Sequence, residues 1–312
     1  MKVGEHWKKT RRAWKQSIRR FTQRILMPTL KPLKNRTEAG RYIVSLTSYG
    51  ERIVDTCPYT IYSLINQSVK PDKIVLWIGH GDKEKVSPLL EKLIKKGLEI
   101  RFVEDIRSYT KIIYALEAFP YDYVATADDD VFYPKNWLEK LATESKINPG
   151  KIITNRAHGI KIDENYNPLP YNEWFYCIKP EKYFAVEKHS LFSVFPTGVG
   201  GILYPPKCFH KDITNRDLFK KLAPFADDVW LWAMAIINEK FANESPYVVV
   251  EKGDKGLKFP DAKSQQGTGS ALHHYNTLQD GNDKQIKAVI EYYPQIKETL
   301  KKIKPIQNEE KC

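Results

Sequence analysis

Residues 109–130 read YTKIIYALEAFPYDYVATADDD, and they contain the pattern that decides the fold. The apolar spacing of residues 110–119 predicts a helix. Residues 122–127 are a short apolar run that predicts a strand, and this strand leads directly into Asp128, Asp129 and Asp130. A helix that precedes a strand in this way is typical of a crossover in a parallel sheet.

The same alternation extends upstream of this segment. Strands are predicted at 41–48 (RYIVSLTS), 73–79 (KIVLWIG) and 98–103, and helices at 58–67 and 89–96. The alternation predicts an α/β fold, a mostly parallel sheet flanked by helices. Ligands of such sheets bind at the carboxyl ends of the strands, which is where the three aspartates stand.

The second half of the chain is less regular. It predicts strands at 151–156 and 247–250, a helix at 229–239 and a long terminal helix at 283–303. Residues 166–180 and 252–269 are expected to be loops, and 304–312 a tail.

Charge is concentrated at the N-terminus. The 312 residues include 50 Lys and Arg against 38 Asp and Glu, a net charge of +12. Residues 1–36 hold twelve Lys and Arg against one Glu, so this arm carries +11 and the remaining chain +1. A nearly neutral body argues against a basic nucleic-acid groove, and no nucleic-acid partner is expected. With 42% hydrophobic residues, the chain is not wholly disordered.

The arm, residues 1–36, has an amphipathic helical pattern that Pro28 ends. Its apolar stripe consists of Trp7, Trp14, Ile18, Phe21 and Ile25. Cationic residues around such a stripe predict a helix that lies on an anionic membrane surface. Two alternatives stay open: the stripe packs on the body of the protein, or the arm binds nucleic acid.

Targeting features are few. No run approaches the roughly 18–20 apolar residues that cross a bilayer, and the N-terminus lacks the apolar core of a signal peptide. The four cysteines are scattered without metal-ligand spacing, which favours a reducing, cytoplasmic setting. The arm would then place the protein at the inner face of the cell membrane.

Asp128–Asp130 is the strongest chemical signal. Three adjacent carboxylates after an apolar strand are costly unless a cation offsets their charge. On a strand, Asp128 and Asp130 share a face and Asp129 points away. Oxygen ligands of this kind suit Mn²⁺ or Mg²⁺. The alternative is a solvated acidic turn in which Asp130 or a neighbour caps a helix that begins near Pro134.

Four segments together resemble a bacterial GT-A-fold (Rossmann-like) glycosyltransferase, family-2-like, of the kind that builds surface polysaccharide or lipopolysaccharide. They are 41–50 (RYIVSLTSYG), 66–79 (NQSVKPDKIVLWIG), 109–130 and 227–233 (DDVWLWA). The resemblance implies one catalytic domain over 37–303, with a nucleotide-binding half (37–135) and an acceptor and catalytic half (136–303). It also implies a nucleotide-sugar donor and a divalent metal on the diphosphate.

The resemblance assigns roles to single residues. Asp128 and Asp130 would hold the metal, and Asp128 and Asp129 would also contact the nucleotide sugar. Further nucleotide-sugar contacts are expected from Thr47, Tyr49, Arg52, Asp82 and Lys111. A solvated lysine at a helix start is the alternative for Lys111.

A second group of candidates lies near residue 200. Gly198, Gly200 and Gly201 could line the donor-sugar pocket, because glycines permit close backbone approach; a plain turn is the alternative. The Asp227–Asp228 pair resembles the acidic pair that supplies the catalytic base of inverting members, with Asp228 favoured as the base. The alternative is an acidic helix N-terminus.

Two further candidates come from later segments. His274, of the pair at 273–274, could be a third metal ligand. Trp174 could stack on an acceptor sugar, although aromatic clusters more often belong to the core.

The sequence thus predicts a metal-dependent, inverting glycosyltransferase that acts on a saccharide or lipid-linked acceptor. A nucleotidyltransferase or phosphotransferase that uses the same aspartates is the enzymatic alternative. A basic membrane- or nucleic-acid-binding adaptor is the non-enzymatic one.

Overall fold

The computed structural model describes residues 17, 20–34, 40–186, 189–258 and 281–305. The strands are β1 Tyr42–Ser48, β2 Lys73–Gly79, β3 Leu98–Val103, β4 Tyr123–Thr126, β5 Ile152–Thr154, β6 Ala157–Gly159, β7 Val194–Pro196, β8 Ile202–Tyr204 and β9 Tyr247–Val249. The helices are α1 (20–26), α2 Arg52–Asp55, α3 Cys57–Ile65, α4 Pro88–Ile94, α5 Thr110–Ala118, α6 Trp137–Ile147, α7 Pro180–Tyr183, α8 Arg216–Leu222, α9 Asp227–Ile236, α10 Gly281–Tyr292 and α11 Gln295–Leu300.

Seven strands form the main sheet in the order β3-β2-β1-β4-β8-β5-β9. Strands β3, β2, β1 and β4 are mutually parallel, β5 and β9 are parallel, and β8 runs antiparallel between β4 and β5. A small antiparallel sheet, β6 with β7, adjoins it. The predicted α/β class with a mostly parallel sheet is therefore confirmed.

Side-chain alternation lets helices cover both faces of the main sheet. On β1, Ile43 belongs to one buried apolar cluster, together with Trp230 of α9, and Val44 belongs to the other, together with Trp137 of α6. Because a sheet covered on both faces leaves only its edges and ends free, the carboxyl ends of β1, β2 and β4 lie together at one open end.

The second half departs from prediction at its terminal helix. The single helix expected at 283–303 is two helices, α10 and α11, separated at Pro294. Proline has no amide hydrogen and its ring clashes with the carbonyl four residues earlier, which ends the first helix.

The described part of the arm is docked on the body through a different face from the predicted stripe. Met27 and Leu30 are buried in the same cluster as β1 and α3, and the Arg24 Nε donates to the Tyr59 hydroxyl at 2.6 Å. The stripe residues Phe21 and Ile25 are 66% and 58% exposed. For these two residues the alternative that the stripe packs on the body is therefore wrong. No helix in the described ranges is both long and apolar enough to span a bilayer.

Candidate active site

The three aspartates lie in a turn that follows β4. The Asp128 carboxylate accepts from the Lys111 Nζ at 2.8 Å, and the Asp130 carboxylate pairs with Arg52. Asp129 faces inward and is 4% exposed. It accepts from the Ser48 Oγ at 2.6 Å and lies 3.2 Å from the same Arg52 guanidinium.

Two details of the sequence interpretation are corrected here. Strand β4 ends at Thr126, so the turn and not strand alternation separates Asp129 from its neighbours. Helix α6 begins at Trp137 with Asn136 at its N-cap position, so Asp130 does not cap it. The inward position of Asp129 gives no support to a sugar-nucleotide contact, which stays a prediction.

Lys111 links the two acidic groups of the site. Its ammonium lies 2.8 Å from Asp128 Oδ1 and 3.7 Å from Asp227 Oδ2, and the residue is 9% exposed. The alternative of a solvated helix-start lysine is therefore wrong. Burial favours the neutral amine, but the surrounding carboxylates outweigh it and raise the pKa of Lys111 well above its ordinary value.

Asp227 and Asp228 are the first two residues of α9. This position agrees both with a catalytic acidic pair and with the alternative of an acidic helix N-terminus. The backbone N–H of Gly198 donates to both oxygens of Asp228, at 3.1 and 3.3 Å. Asp227 Oδ2 is buried without a hydrogen-bond partner. Burial and the adjacent Asp227 charge raise the pKa of Asp228 to about 7. Asp228 can thus exchange a proton near neutral pH.

The site carries more negative than positive charge. The charged side chains that interact there are Asp128, Asp129, Asp130, Asp227, Asp228, Lys111, Arg52 and Arg156. Burial and like charge raise the pKa of Asp129 to about 7. Burial alone would raise the pKa of Asp128, but Lys111 outweighs it and lowers that pKa. With all groups ionised, two negative charges are in excess, which matches one divalent cation.

The predicted nucleotide residues meet at the ends of β1 and β2. The Asp82 carboxylate accepts from the Gly50 N–H at 2.9 Å, and this bond is the main reason that the pKa of Asp82 is lowered. The Arg52 guanidinium lies 5.5 Å from the ring of Tyr49, which is 55% exposed. The Thr47 hydroxyl donates to the Trp77 carbonyl. An exposed tyrosine beside an arginine at this end of the sheet offers a surface on which a base can stack.

The three glycines have different surroundings. A Cβ at Gly200 would lie 2.7 Å from Arg156 Cβ, and one at Gly201, with φ of +85°, would lie 2.5 Å from the Trp137 ring. The protein's own packing therefore requires glycine at both positions, and their donor-pocket role stays a prediction. Gly198 is the glycine that faces the carboxylates, since its Cβ would lie 3.3 Å from Asp228 Oδ1 and from Lys111 Nζ.

The two remaining candidates are Trp174 and His274. Trp174 is 5% exposed and donates to the Leu169 carbonyl at 2.8 Å, so the core interpretation holds for it. His274 falls outside the described residues. Within the described ranges, no three His, Cys, Asp or Glu side chains converge into a metal-binding group. A cation held by Asp128 and Asp130 would need its remaining ligands from substrate oxygens or water.

Sequence reasoning missed three contributors to this site. The Tyr133 hydroxyl accepts from the Asp128 N–H at 2.8 Å, and Ser48 holds Asp129. Arg156, which follows β5, contributes to lowering the pKa of Asp128. Arg156 and Ser48 each stand at the end of a predicted strand, which was their one available signal, while Tyr133 has none in a single sequence.

Carboxylates gathered at the carboxyl end of a mostly parallel α/β sheet are consistent with a transferase of the GT-A fold, because ligands of such sheets bind at that end. Glycosyl transferase family 2 matches residues 44–203, just over half of the chain, and the protein belongs to this family and is a glycosyltransferase. The match covers β1 to β8 up to residue 203, and so includes the triplet, Lys111 and Gly198.

Other comparisons add little. No curated protein matches the chain. Among solved structures, the chain is similar to the 4-diphosphocytidyl-2C-methyl-D-erythritol synthase of Anaerococcus prevotii, at 15% identity and a TM-score of 0.41. That likeness covers 72% of this chain and 92% of the other. At such a score it supports no conclusion about function.

Proposed function

We propose that the protein transfers a sugar from a nucleotide-sugar donor to a hydroxyl of a saccharide or lipid-linked acceptor, with a divalent metal and with inversion. The observation that carries the proposal is the position of Lys111, between Asp128 of the triplet and Asp227 of the acidic pair. One buried ammonium thus joins a candidate diphosphate site to the acidic pair that contains the candidate base, and displacement of a nucleoside diphosphate requires both groups.

Asp228 is the proposed base. The Gly198 N–H fixes its carboxylate, and its raised pKa, about 7, suits proton transfer at neutral pH. In an inverting displacement this carboxylate takes the proton of the attacking hydroxyl, and the nucleoside diphosphate leaves on the opposite side of the sugar. Measurement of the product anomer by NMR tests inversion, and net retention would remove Asp228 from this role.

The residues present fit a divalent cation. Asp128 and Asp130 supply oxygen ligands, and the excess of two negative charges described above favours a cation there. A bound Mn²⁺ or Mg²⁺ supplies Lewis-acid stabilisation of the leaving diphosphate. The two carboxylates also form ion pairs with the protein's own cations, Asp128 with Lys111 and Asp130 with Arg52.

A panel of nucleotide sugars, with and without Mn²⁺, tests the activity. Release of nucleoside diphosphate supports sugar transfer, whereas release of pyrophosphate would support the nucleotidyltransferase alternative. Asp130→Ala is expected to abolish Mn²⁺-dependent release and to keep the wild-type circular dichroism spectrum. Full activity of that variant in EDTA would contradict the metal role.

The proposed setting is the synthesis of bacterial surface polysaccharide or lipopolysaccharide at the cytoplasmic face of the membrane. Support comes from the exposed apolar residues of α1, Phe21, Ile25 and Leu26 (41% exposed), on a docked helix that also bears Arg20 and Arg24. Apolar side chains among cationic ones suit the headgroup region of an anionic membrane.

Vesicle sedimentation of the full chain tests the membrane role. The Phe21→Ser/Ile25→Ser double variant is expected to lose binding to vesicles that contain anionic lipid. Ile147→Ser is the matched control, because Ile147 is 67% exposed on α6 and is not part of the arm. Equal binding by the double variant and the control would contradict the proposal. Deletion of residues 1–36 is less informative, because it would uncover the core around Met27 and Leu30.

A further inference from the structure

Arg156 is a half-buried arginine whose side-chain hydrogen bonds all go to neutral acceptors. Its Nε donates to Cys177 Sγ at 3.0 Å, one terminal nitrogen to Thr197 Oγ1 at 3.0 Å, and the other to the Tyr176 hydroxyl at 2.8 Å. These bonds use three of the five N–H groups of a guanidinium. No carboxylate in the described ranges lies within 4.0 Å of it. A positive charge with two N–H groups left over is suited to an anionic ligand.

Tyr176 is an exposed ring held in a fixed position. It is 74% exposed, yet the Arg156 guanidinium lies 5.2 Å from its centroid and the His158 ring stacks on it at 4.6 Å. His158 is 3% exposed, and burial followed by the Arg156 charge lowers its pKa to about 3, so the stacking partner is neutral. A rigid exposed aromatic ring offers an apolar face to a sugar.

The small sheet links this pair to the residue that holds the proposed base. Arg156 lies between β5 and β6, and Thr197, which accepts one of its hydrogen bonds, directly precedes Gly198, the residue that holds Asp228. In the main sheet, β5 is separated from β1 and β2 by β4 and β8. The predicted nucleotide residues Thr47, Tyr49, Arg52 and Asp82 lie in or just after β1 and β2, so two strands of the main sheet separate them from the strand that Arg156 follows.

The surface beside Arg156 is also basic. A shallow cavity that is open to solvent is lined by Arg156, Cys177, Lys179 and Lys252, with Asp254 as its one acidic residue. Asp254 is already paired with Lys179, at 3.0 Å. The cavity therefore has a net positive lining, in contrast to the acidic cleft around the triplet.

We infer that Arg156 and Tyr176 form an acceptor subsite for a saccharide that bears a carboxylate or a phosphate group. The guanidinium binds the anionic group through its remaining N–H groups, and the tyrosine ring packs on the sugar. The assignment of this subsite to the acceptor rests on the proposed sugar transfer, but binding of an acidic saccharide at Arg156 can be measured without turnover.

Protection of Cys177 from alkylation measures occupancy of the subsite. Cys177 is partly exposed and free, whereas Cys57 and Cys208 are buried, and peptide mapping by mass spectrometry separates its signal from the other thiols. The full chain is treated with N-ethylmaleimide at constant ionic strength. The three probes are methyl glucuronide, methyl glucoside 6-phosphate and the neutral methyl glucoside, each at about 50 mM, within the range of weak saccharide binding.

At least one acidic probe is expected to slow alkylation of Cys177 about threefold or more, which is the effect of a protecting ligand at about twice its Kd. The neutral probe is expected to have little effect. Comparison of the two acidic probes tells a carboxylate from a phosphate site. Arg156→Met is expected to abolish the slowing, measured as the ratio with and without probe in the same variant. Lys182→Met, which removes an exposed charge nearby on α7, is the control and should keep it. If circular dichroism shows that the methionine variant is misfolded, Arg156→Lys is used in its place. Lysine keeps the charge but loses the planar guanidinium, so the acidic probes are expected to slow alkylation less than in the wild type.

Three results would overturn the inference: no slowing by either acidic probe, equal slowing by the neutral probe, or equal loss in the Lys182 control. Slowing by inorganic phosphate or a nucleoside diphosphate, without slowing by the acidic saccharides, would also overturn it and assign Arg156 to the donor. Failure of sugar transfer is detected separately, as absence of nucleoside diphosphate release in the donor panel.

Discussion

Replacement of Asp228 by Asn tests the catalytic assignment most directly. The asparagine oxygen can still accept from the Gly198 N–H, so the local structure should persist. The amide cannot accept the proton of an attacking hydroxyl. Loss of a positioned general base lowers kcat by about 10²- to 10⁴-fold, and we expect a loss in that range.

The pH dependence supplies a second, independent magnitude. Burial and the Asp227 charge raise the pKa of Asp228 to about 7. The base form then makes up about 90% at pH 8, about half at pH 7 and about 10% at pH 6. The wild-type kcat/KM should therefore fall about tenfold for each pH unit below that pKa, because this parameter reports groups of the free enzyme.

The assay is nucleoside diphosphate release between pH 5 and 9 with the best donor of the panel, at constant ionic strength. Asp217→Asn is the matched control, since Asp217 is exposed in the first turn of α8 and lies outside the site. A profile that is flat from pH 6 to 8, or an Asp228→Asn variant with wild-type activity, would refute the assignment. A larger loss in Asp227→Asn than in Asp228→Asn would transfer the base role to Asp227.

Three further predictions concern stability, each measured by urea unfolding. Burial raises the pKa of Asp129 to about 7, so the stability that its protonated form contributes is lost as pH rises from about 4 to 7. The free energy of unfolding of Asp129→Asn should therefore increase relative to that of the wild type over this window, by up to about 4 kcal/mol. A difference between the two proteins that stays constant with pH would contradict this. Gly201→Ala should cost about 3–5 kcal/mol, from the positive φ and the contact with Trp137, and wild-type stability would contradict the packing role. Met27→Ala should lower the free energy of unfolding by about 2–4 kcal/mol and Phe21→Ser by less than about 0.5 kcal/mol, because Met27 is buried and Phe21 is exposed. Equal losses would show that this segment is not docked on the body through Met27.

The sequence predicted the first half of the fold closely because its signals there are local. Strands β2 and β3 have the predicted bounds, and the crossover order follows from alternation of short apolar runs with helical ones. The strand that joins the two halves, β8, is three residues long and antiparallel. A run of that length carries no periodicity, so its place between β4 and β5 depends on long-range packing that one sequence does not show.

For the site, the sequence identified residue types better than their partners. The triplet, Lys111 and the acidic pair were all selected from chemistry and resemblance, and the structure brings them together. The bond from Lys111 to both acidic groups joins residues 17 and 116 positions apart along the chain, which no local pattern encodes. The inward turn of Asp129 was expected from strand alternation but arises from hydrogen bonding to Ser48.

Local charge, not the total of the chain, determines what this protein can bind. The chain carries +12, of which the arm supplies +11, and this would suggest an anionic partner everywhere. The cleft has the opposite sign, because five carboxylates face three cationic groups. Burial, with a smaller contribution from the neighbouring carboxylates, raises the pKa of Asp129 and Asp228 to about 7. Exposed charges are screened beyond about 8–10 Å at physiological salt, so a basic arm and the exposed lysines beside Arg156, Lys179 and Lys252, can coexist with a cleft that attracts a divalent cation. The proposals made for these three surfaces therefore assign a different ligand class to each: an anionic membrane, an anionic acceptor and a cation-bound diphosphate.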